Sequence, residues 1–168
     1  MTWLRHLLSI AILPVTVTVV VPVWIARSNG IWFSIGTSAV DIGLQVIGVV
    51  LLCLGLTFFA GSLRRFAVEG EGTLAPWDPP RQLVVHGPYR YVRNPMISGV
   101  LMIVLGEAAV LRSRPHAIWA LVFFVMNAIW IPAFEEPQLA SRFGEDYREY
   151  CRNVPRVIPR VTPWDQKA

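Results

Sequence analysis

The chain has 168 residues, of which 54% are hydrophobic and only 15% are charged, and its mean hydropathy is +0.50. Soluble domains of this length carry about a quarter charged residues, and a core of this size cannot hold the excess apolar side chains. The composition therefore excludes a soluble enzyme, a disordered chain and a secreted disulfide scaffold. A bridge between Cys53, in an apolar run, and Cys151, in a charged tail, is not expected. We expect one membrane domain over residues 1–168.

Four apolar stretches approach the roughly 20 residues that a helix needs to cross a bilayer. They cover residues 7–26, 42–63, 95–111 and 115–134. The first resembles a signal peptide in position, but its apolar part is longer than usual and no small-residue cleavage pattern follows it. The third carries Glu107, for which we expect a structural partner, either Asn127 or Arg112. We predict an all-α integral membrane protein with about four transmembrane helices.

The distribution of basic residues predicts the orientation of these helices. Twelve of the fifteen Lys and Arg residues fall on one side, which includes both termini and residues 64–94 and 135–168. Only Arg27, Arg112 and Arg114 fall on the other side. We therefore expect both termini in the cytoplasm and the chain in an inner or cytoplasmic membrane. The net charge of +4 indicates contact with anionic membrane lipids, and no nucleic-acid partner is expected.

The first cytoplasmic segment, residues 64–94, contains the start of a helix. An irregular stretch at 69–80 precedes a short extended run at 81–85 and a turn at 86–88. Asn94 followed by Pro95 is typical of a helix N-cap and first helical residue. The helix N-terminus beside Arg93 favours an anion such as a carboxylate or phosphate. A capped helix with arginines reaching to lipid headgroups explains the same pattern equally well.

The second cytoplasmic segment, residues 135–168, opens with adjacent carboxylates at Glu135 and Glu136. Adjacent acids are unfavourable unless a cation meets them. Pro137 can begin a new helix there, and Val154 to Pro159 would end it. Its apolar side chains share one face, which predicts an amphipathic helix at the membrane interface. They are Leu139, Phe143, Tyr147 and Tyr150. The alternative is that both acids simply face water.

Both segments together predict a pocket on the cytoplasmic face. It would contain aromatic residues Tyr89 and Tyr91, the cation Arg93 beside a helix N-terminus, and the two acids. Such a pocket suits a ligand that carries both an anionic and a cationic group. The residue pattern by itself predicts no more than this.

Two motifs carry a resemblance to a known family. Residues 83–99 read LVVHGPYRYVRNPMISG, and the second motif combines Glu135 and Glu136 with residues 143–150 and 154–159. Together they resemble the signatures of the isoprenylcysteine carboxyl methyltransferase family, to which phospholipid N-methyltransferases are related. The resemblance covers about half of the chain, and the spacing of the two motifs also fits the family.

The resemblance implies a membrane methyltransferase that uses S-adenosylmethionine and releases S-adenosylhomocysteine, with no metal at the site. Arg93 would position a carboxylate acceptor, and Glu136 or His86 would act as a base for an amine or phenol. The cofactor-binding residues that the resemblance implies are Gln82, Leu83, Val84, Tyr89, Asn94, Pro95, Met96, Ile97, Glu135 and Glu136.

Two positions depart from the family pattern Arg-His-Pro-x-Tyr. Asn94 stands at the histidine and cannot titrate near neutral pH, and Ile97 stands at the tyrosine. We expect methyl transfer to a small lipophilic or lipid-linked acceptor that enters from the bilayer. The alternative is a non-catalytic four-helix membrane scaffold or binding subunit, which need not bind S-adenosylhomocysteine.

Overall fold

A computed structural model of the chain describes residues 11–69 and 82–165, in which the regular secondary structure is helical, with no β-strand. The first four residues of the predicted span at 7–26 and most of the predicted irregular stretch at 69–80 lie outside these ranges. The α-helices are α1 (Val21–Ser28), α2 (Ala39–Glu69), α3 (Pro95–Val110), α4 (Arg114–Trp130) and α5 (Glu136–Asn153). A π-helical stretch (Ala11–Val20) precedes α1, a 3₁₀ turn (Gly87–Arg90) precedes α3, and a π-helical turn (Ile131–Glu135) joins α4 to α5.

The apolar stretches predicted from the sequence fall on helices. Ala39–Arg65 and Arg114–Asn153 are each long and apolar enough to cross a membrane, and only 11% of the apolar window in each is buried. That low burial separates them from the core helices of soluble proteins. Leu13–Ser28 and Pro95–Val110 are shorter apolar helices. The all-helical class of a membrane protein is therefore confirmed, and the number of spans stays a prediction.

The start of α5 differs from the sequence prediction of a separate helix that opens at Pro137. The helix begins at Glu136 and continues from α4 through the π-helical turn, without a break. Pro137 has no N–H to donate to the preceding turn, and the π-helical turn lies just before it. The axis is interrupted later, at Gly144, where φ is +58° and ψ is −127°. A positive φ of this kind favours glycine over any residue with a Cβ.

The contacts divide the chain into two compact units. Unit 1 contains residues 1–57 and 99–125, and unit 2 contains residues 58–98 and 126–168. In unit 1, α2 and α3 approach so closely that a Cβ on Gly48 would lie 2.8 Å from the Gly106 carbonyl oxygen. A Cβ on Gly106 would likewise lie 2.8 Å from the Gly48 carbonyl oxygen. The two glycines therefore allow backbone contact between these helices.

Arg112, in unit 1, is one of the two partners predicted for Glu107, but its ion pair is with a different acid. Its guanidinium Nη1 lies 3.1 Å from Oδ2 of Asp41, and Nη2 donates to the Ser34 hydroxyl oxygen at 2.6 Å. Arg112 is thus paired with Asp41 rather than with Glu107. Oε2 of Glu107 is buried and has no hydrogen-bond partner within the part of the chain that the structure describes.

In the first helical segment, a proline leaves one backbone carbonyl without its helical N–H donor, and a tryptophan side chain supplies a donor instead. A π-helical pattern pairs the carbonyl of residue i with the amide of residue i+5. For Val17 that residue is Pro22, which has no N–H to donate. The indole Nε1 of Trp119 donates to the Val17 carbonyl at 3.0 Å instead. Nearby, the buried ring of His116 makes a 3.1 Å hydrogen bond from Nε2 to the Pro22 carbonyl.

Unit 2 has a small core built on α5. Tyr147, Tyr150 and Val154 are at most 5% exposed. The half-buried hydrophobic residues packed against them are Leu83, Val85, Leu139, Ala140, Phe143, Cys151 and Trp164. The apolar face predicted for α5 thus contacts the segment before α3 and the chain after α5.

Candidate functional site

The N-terminus of α3 is formed as the sequence predicts. The helix begins at Pro95, and the amide of Ser98 donates to the Asn94 carbonyl at 2.9 Å, which places Asn94 at the N-cap position. Pro95 is fully buried, whereas Asn94, Met96 and Ile97 are half-buried. The first-turn amides of α3 therefore lie next to Arg93, as an anion site requires.

The segment before α3 is held by the chain that follows α5. The amide of Arg93 donates to the Pro155 carbonyl at 2.8 Å, and the amide of Arg160 donates to the Tyr91 carbonyl at 2.9 Å. A third bond of 2.9 Å joins the Trp164 amide to the Arg90 carbonyl. These bonds run antiparallel, so the two predicted motifs form one substructure although the bonded residues are 62 to 74 positions apart in sequence.

Glu136 lies between two arginines. Its Oε1 is 3.0 Å from Nη1 of Arg93, and Arg156 approaches with both Nε (2.7 Å to Oε1) and Nη2 (2.8 Å to Oε2). Burial raises the pKa of this carboxyl. The hydrogen bonds of Arg156 and the charges of both arginines lower the pKa by more than burial raises it, so the net shift is downward. Glu136 is therefore a stable anion that fixes two cations.

Arg93 has further contacts at this site. Its Nη1 donates to Sγ of Cys151 at 2.7 Å, while its Nε is buried and without a hydrogen-bond partner in the described residues. The side chain of Arg93 is only 12% exposed. A buried N–H of this kind is costly unless an acceptor reaches it. Arg93 therefore keeps one donor that no described residue satisfies.

The pKa of Glu135 is shifted in the opposite direction from that of Glu136. Burial raises the pKa of Glu135, and the negative charge of Glu136 raises it further. A cationic group bound beside Glu135 would relieve both effects, because it stabilises the ionised form. The site thus offers one acid satisfied by arginines and one whose ionisation favours a positively charged ligand.

Tyr150 fixes the backbone at Tyr89. Its hydroxyl donates to the Tyr89 carbonyl at 2.7 Å, and its ring lies 5.8 Å from the ring of Trp164. Burial raises the pKa of Tyr150, so the hydroxyl stays protonated and remains a donor. Tyr89 itself lies in the 3₁₀ turn and is half-buried.

An open cavity of about 460 Å³ lies along α5. It is lined by Pro132, Glu136, Pro137, Ala140, Tyr147, Arg148, Cys151 and Arg152. Of the predicted site residues only Glu136 lines it. Tyr147 and the two prolines supply apolar surface, and Arg148 and Arg152 supply positive charge.

All the predicted site residues lie in unit 2, and the structure brings some of them into direct contact. Arg93 contacts Glu136, and the Leu83 side chain packs against the core that contains Tyr150. Val84 is buried, whereas Gln82 is exposed. The individual cofactor and catalytic roles predicted for these residues stay predictions.

Sequence reasoning missed Arg156 and Cys151 as members of the site. The signal for Arg156 was available, because two adjacent acids require a nearby cation and the second motif contains an arginine between Pro155 and Pro159. No pattern in the sequence indicates that Cys151 lies against Arg93, since that contact depends on how α5 is placed.

Comparison with known proteins identifies the family. The family model described as phospholipid methyltransferase matches residues 44–146, which is more than half of the chain. The chain belongs to the phospholipid methyltransferase family. The predicted relationship to isoprenylcysteine carboxyl methyltransferases is confirmed by two plant relatives that carry that name.

Protein-S-isoprenylcysteine O-methyltransferase B of Arabidopsis thaliana is 37% identical over 81 residues, which are 48% of this chain and 41% of the relative. A probable protein-S-isoprenylcysteine O-methyltransferase of Oryza sativa subsp. indica is 26% identical over 125 residues, or 70% and 62% of the two chains. Methanethiol S-methyltransferase 2 of Bradyrhizobium diazoefficiens is 32% identical over 76 residues, which are 44% of this chain and 27% of the relative. The matches span about two fifths to three fifths of the plant relatives' length.

Proposed function

We propose that this protein is an integral membrane methyltransferase that uses S-adenosylmethionine as methyl donor. The observation that carries the proposal is the contact between Glu136 and Arg93, which directly precedes the N-cap of α3, in a chain that belongs to a methyltransferase family. The relatives named above are methyltransferases that act on oxygen or sulfur. No comparable observation favours a non-catalytic scaffold.

The residues of the site fit the charges of the cofactor. S-adenosylmethionine has a carboxylate, an ammonium group, a sulfonium and an adenine. The unpartnered Nε of Arg93 and the first-turn amides of α3 suit a carboxylate. Glu135, whose pKa burial raises, suits an ammonium group. Tyr89 offers an aromatic face that attracts a cation. Gln82, Leu83, Val84, Asn94, Pro95, Met96 and Ile97 complete the proposed binding set.

The proposed mechanism depends on position more than on proton transfer. When bound, S-adenosylmethionine supplies a methyl group on a positively charged sulfur. Methyl transfer requires a nucleophile aligned behind that methyl group and stripped of water. Arg93 would orient an anionic acceptor. Glu136, which both arginines hold ionised, would act by keeping Arg93 in place; its lowered pKa makes it a weak base.

We further propose that four helical segments cross the membrane and that both termini face the cytoplasm. The support is the twelve-to-three distribution of basic residues and the four apolar helices. The cofactor pocket would then lie at the cytoplasmic surface, with a lipophilic or lipid-linked acceptor entering from the bilayer. Membrane lipids would surround the spanning helices.

The test is calorimetric titration of S-adenosylhomocysteine into the purified protein in detergent. We expect wild type to bind and Glu135→Gln to bind at least about tenfold more weakly, because a charge-assisted contact is lost. Glu145→Gln is the matched control, since Glu145 is an exposed acid of α5 that pairs with Arg148 and Arg152. Absence of binding by folded wild-type protein would overturn the proposal.

A further inference from the structure

The segment that follows α5 makes an excursion along the first turn of α3. Pro155 is bonded to Arg93, before the helix, through the Arg93 amide and the Pro155 carbonyl. Two residues later, the Val157 carbonyl accepts a 3.0 Å hydrogen bond from the hydroxyl of Ser98, inside the helix. At Arg160 the segment is bonded to Tyr91, again before the helix. Its contacts therefore advance from residue 93 to residue 98 and return to residue 91.

This order of contacts shows which part of the segment lies furthest along the axis of α3. Ser98 is three residues beyond the first residue of α3, or about 4.5 Å further along the helix axis at 1.5 Å per residue. Val157 is thus bonded further along α3 than Pro155 and Arg160 are, and Ile158 follows it directly in the chain. We call residues 155–161 the return loop.

The tip of the return loop is apolar and exposed. The side chain of Ile158 is 80% exposed and that of Val161 is 97% exposed, although Val154, which begins the turn out of α5, is buried at 1%. The loop is held by its bonds to Arg93, Ser98 and Tyr91 and by the pairing of Arg156 with Glu136, so Ile158 is presented at a set position. An apolar side chain held in water in this way is unfavourable unless another apolar surface covers it.

We propose that the return loop inserts Ile158 into the membrane leaflet that surrounds the N-terminal end of α3, with Val161 at its edge. This inference rests on the proposed membrane embedding of α3. The lipid leaflet is the occupant because the loop lies along the first turn of an apolar helix, and because Arg160, between Ile158 and Val161, has no carboxylate partner among the described residues and suits an anionic headgroup. The loop thereby anchors the site substructure, including Arg93, at the surface from which a lipophilic acceptor would arrive.

The test uses photo-crosslinking of the full chain in nanodiscs that contain anionic phospholipid. A diazirine analogue of leucine replaces Ile158 in one preparation, Glu149 in a second and Leu121 in a third. Glu149 is an exposed polar position on α5, and Leu121 is a 60% exposed apolar position on α4. After irradiation, mass spectrometry distinguishes adducts with lipid, with water and with protein, and an unchanged unfolding temperature verifies the fold of each preparation.

We expect lipid adducts at position 158 at a level close to that at position 121 and several-fold above that at position 149. Water adducts at 158 to the extent seen at 149, or adducts with a second copy of the chain, would overturn the return-loop proposal. If position 121 forms lipid adducts while 158 does not, the proposed membrane embedding stands and only the loop insertion fails. Absence of lipid adducts at both positions overturns the proposed embedding as well.

Discussion

The guanidinium of Arg156 and the carboxylate of Glu136 form a bidentate pair, with Nε 2.7 Å from Oε1 and Nη2 2.8 Å from Oε2. Arg93 approaches the same carboxylate at 3.0 Å. One acid therefore holds together the start of α5, the residue before the N-cap of α3 and the return loop. The contact of Arg93 with Glu136 joins the two sequence motifs.

Glu136→Gln should destabilise the protein by about 1–3 kcal/mol, because two arginines would then face each other without a counter-charge. Unfolding in mixed detergent micelles measures the change. Glu145→Gln should cost less than about 1 kcal/mol, because both partners of Glu145 are solvent-exposed. Equal losses in the two variants would contradict the role assigned to Glu136.

The two acids predict opposite pH effects on stability. The lowered pKa of Glu136 gives a contribution that is fully present above its ordinary value of 4.5 and is lost as pH falls through the lowered value. Glu135 has a raised pKa, so its ionisation disfavours the folded state as pH rises. A cationic ligand needs Glu135 ionised, and its affinity should therefore fall as pH is lowered.

This second effect is measured by titrating S-adenosylhomocysteine at several values between about pH 8 and about pH 5. Affinity should decrease toward the acid end in wild type and should change much less in Glu135→Gln, which cannot titrate. An identical pH dependence in both proteins would remove Glu135 from the binding site.

Glycine contacts between α2 and α3 predict a position-specific effect of alanine. Gly48→Ala should destabilise by about 1–3 kcal/mol, since the added Cβ would lie 2.7 Å from the Val110 side chain and 2.8 Å from the Gly106 carbonyl. Gly43→Ala is the control on the same helix. It meets nothing within 4 Å and should be neutral or stabilising by up to about 1 kcal/mol. Thermal unfolding compares the two, and a stable Gly48→Ala protein would refute the close approach.

The bond from Trp119 to the Val17 carbonyl predicts coupling to Pro22. Trp119→Phe should cost about 1–2 kcal/mol through an unsatisfied carbonyl. In a Pro22→Ala background the cost should be smaller, because residue 22 then offers its own N–H to Val17. The coupling energy follows from unfolding of wild type, both single variants and the double variant. Strict additivity would show that Pro22 is not the reason for the Trp119 contact.

The sequence by itself determined the helical membrane class, the start of α3 at Asn94 and Pro95, and the two motifs that carry the family relationship. These depend on local signals: runs of apolar residues, the fixed φ of proline and short polar patterns. It also indicated that the adjacent acids need a cation, without showing which one.

Only the tertiary structure decided which charges meet. Arg112 pairs with Asp41 rather than Glu107, and Glu136 pairs with Arg93 and Arg156, because ion pairs between distant residues depend on where the helices place them. The same holds for the continuous passage from α4 into α5, where a π-helical turn replaces the break that Pro137 suggested. The position of Ile158 along α3 likewise follows from three contacts that are each far apart in sequence, so no local pattern could have predicted it.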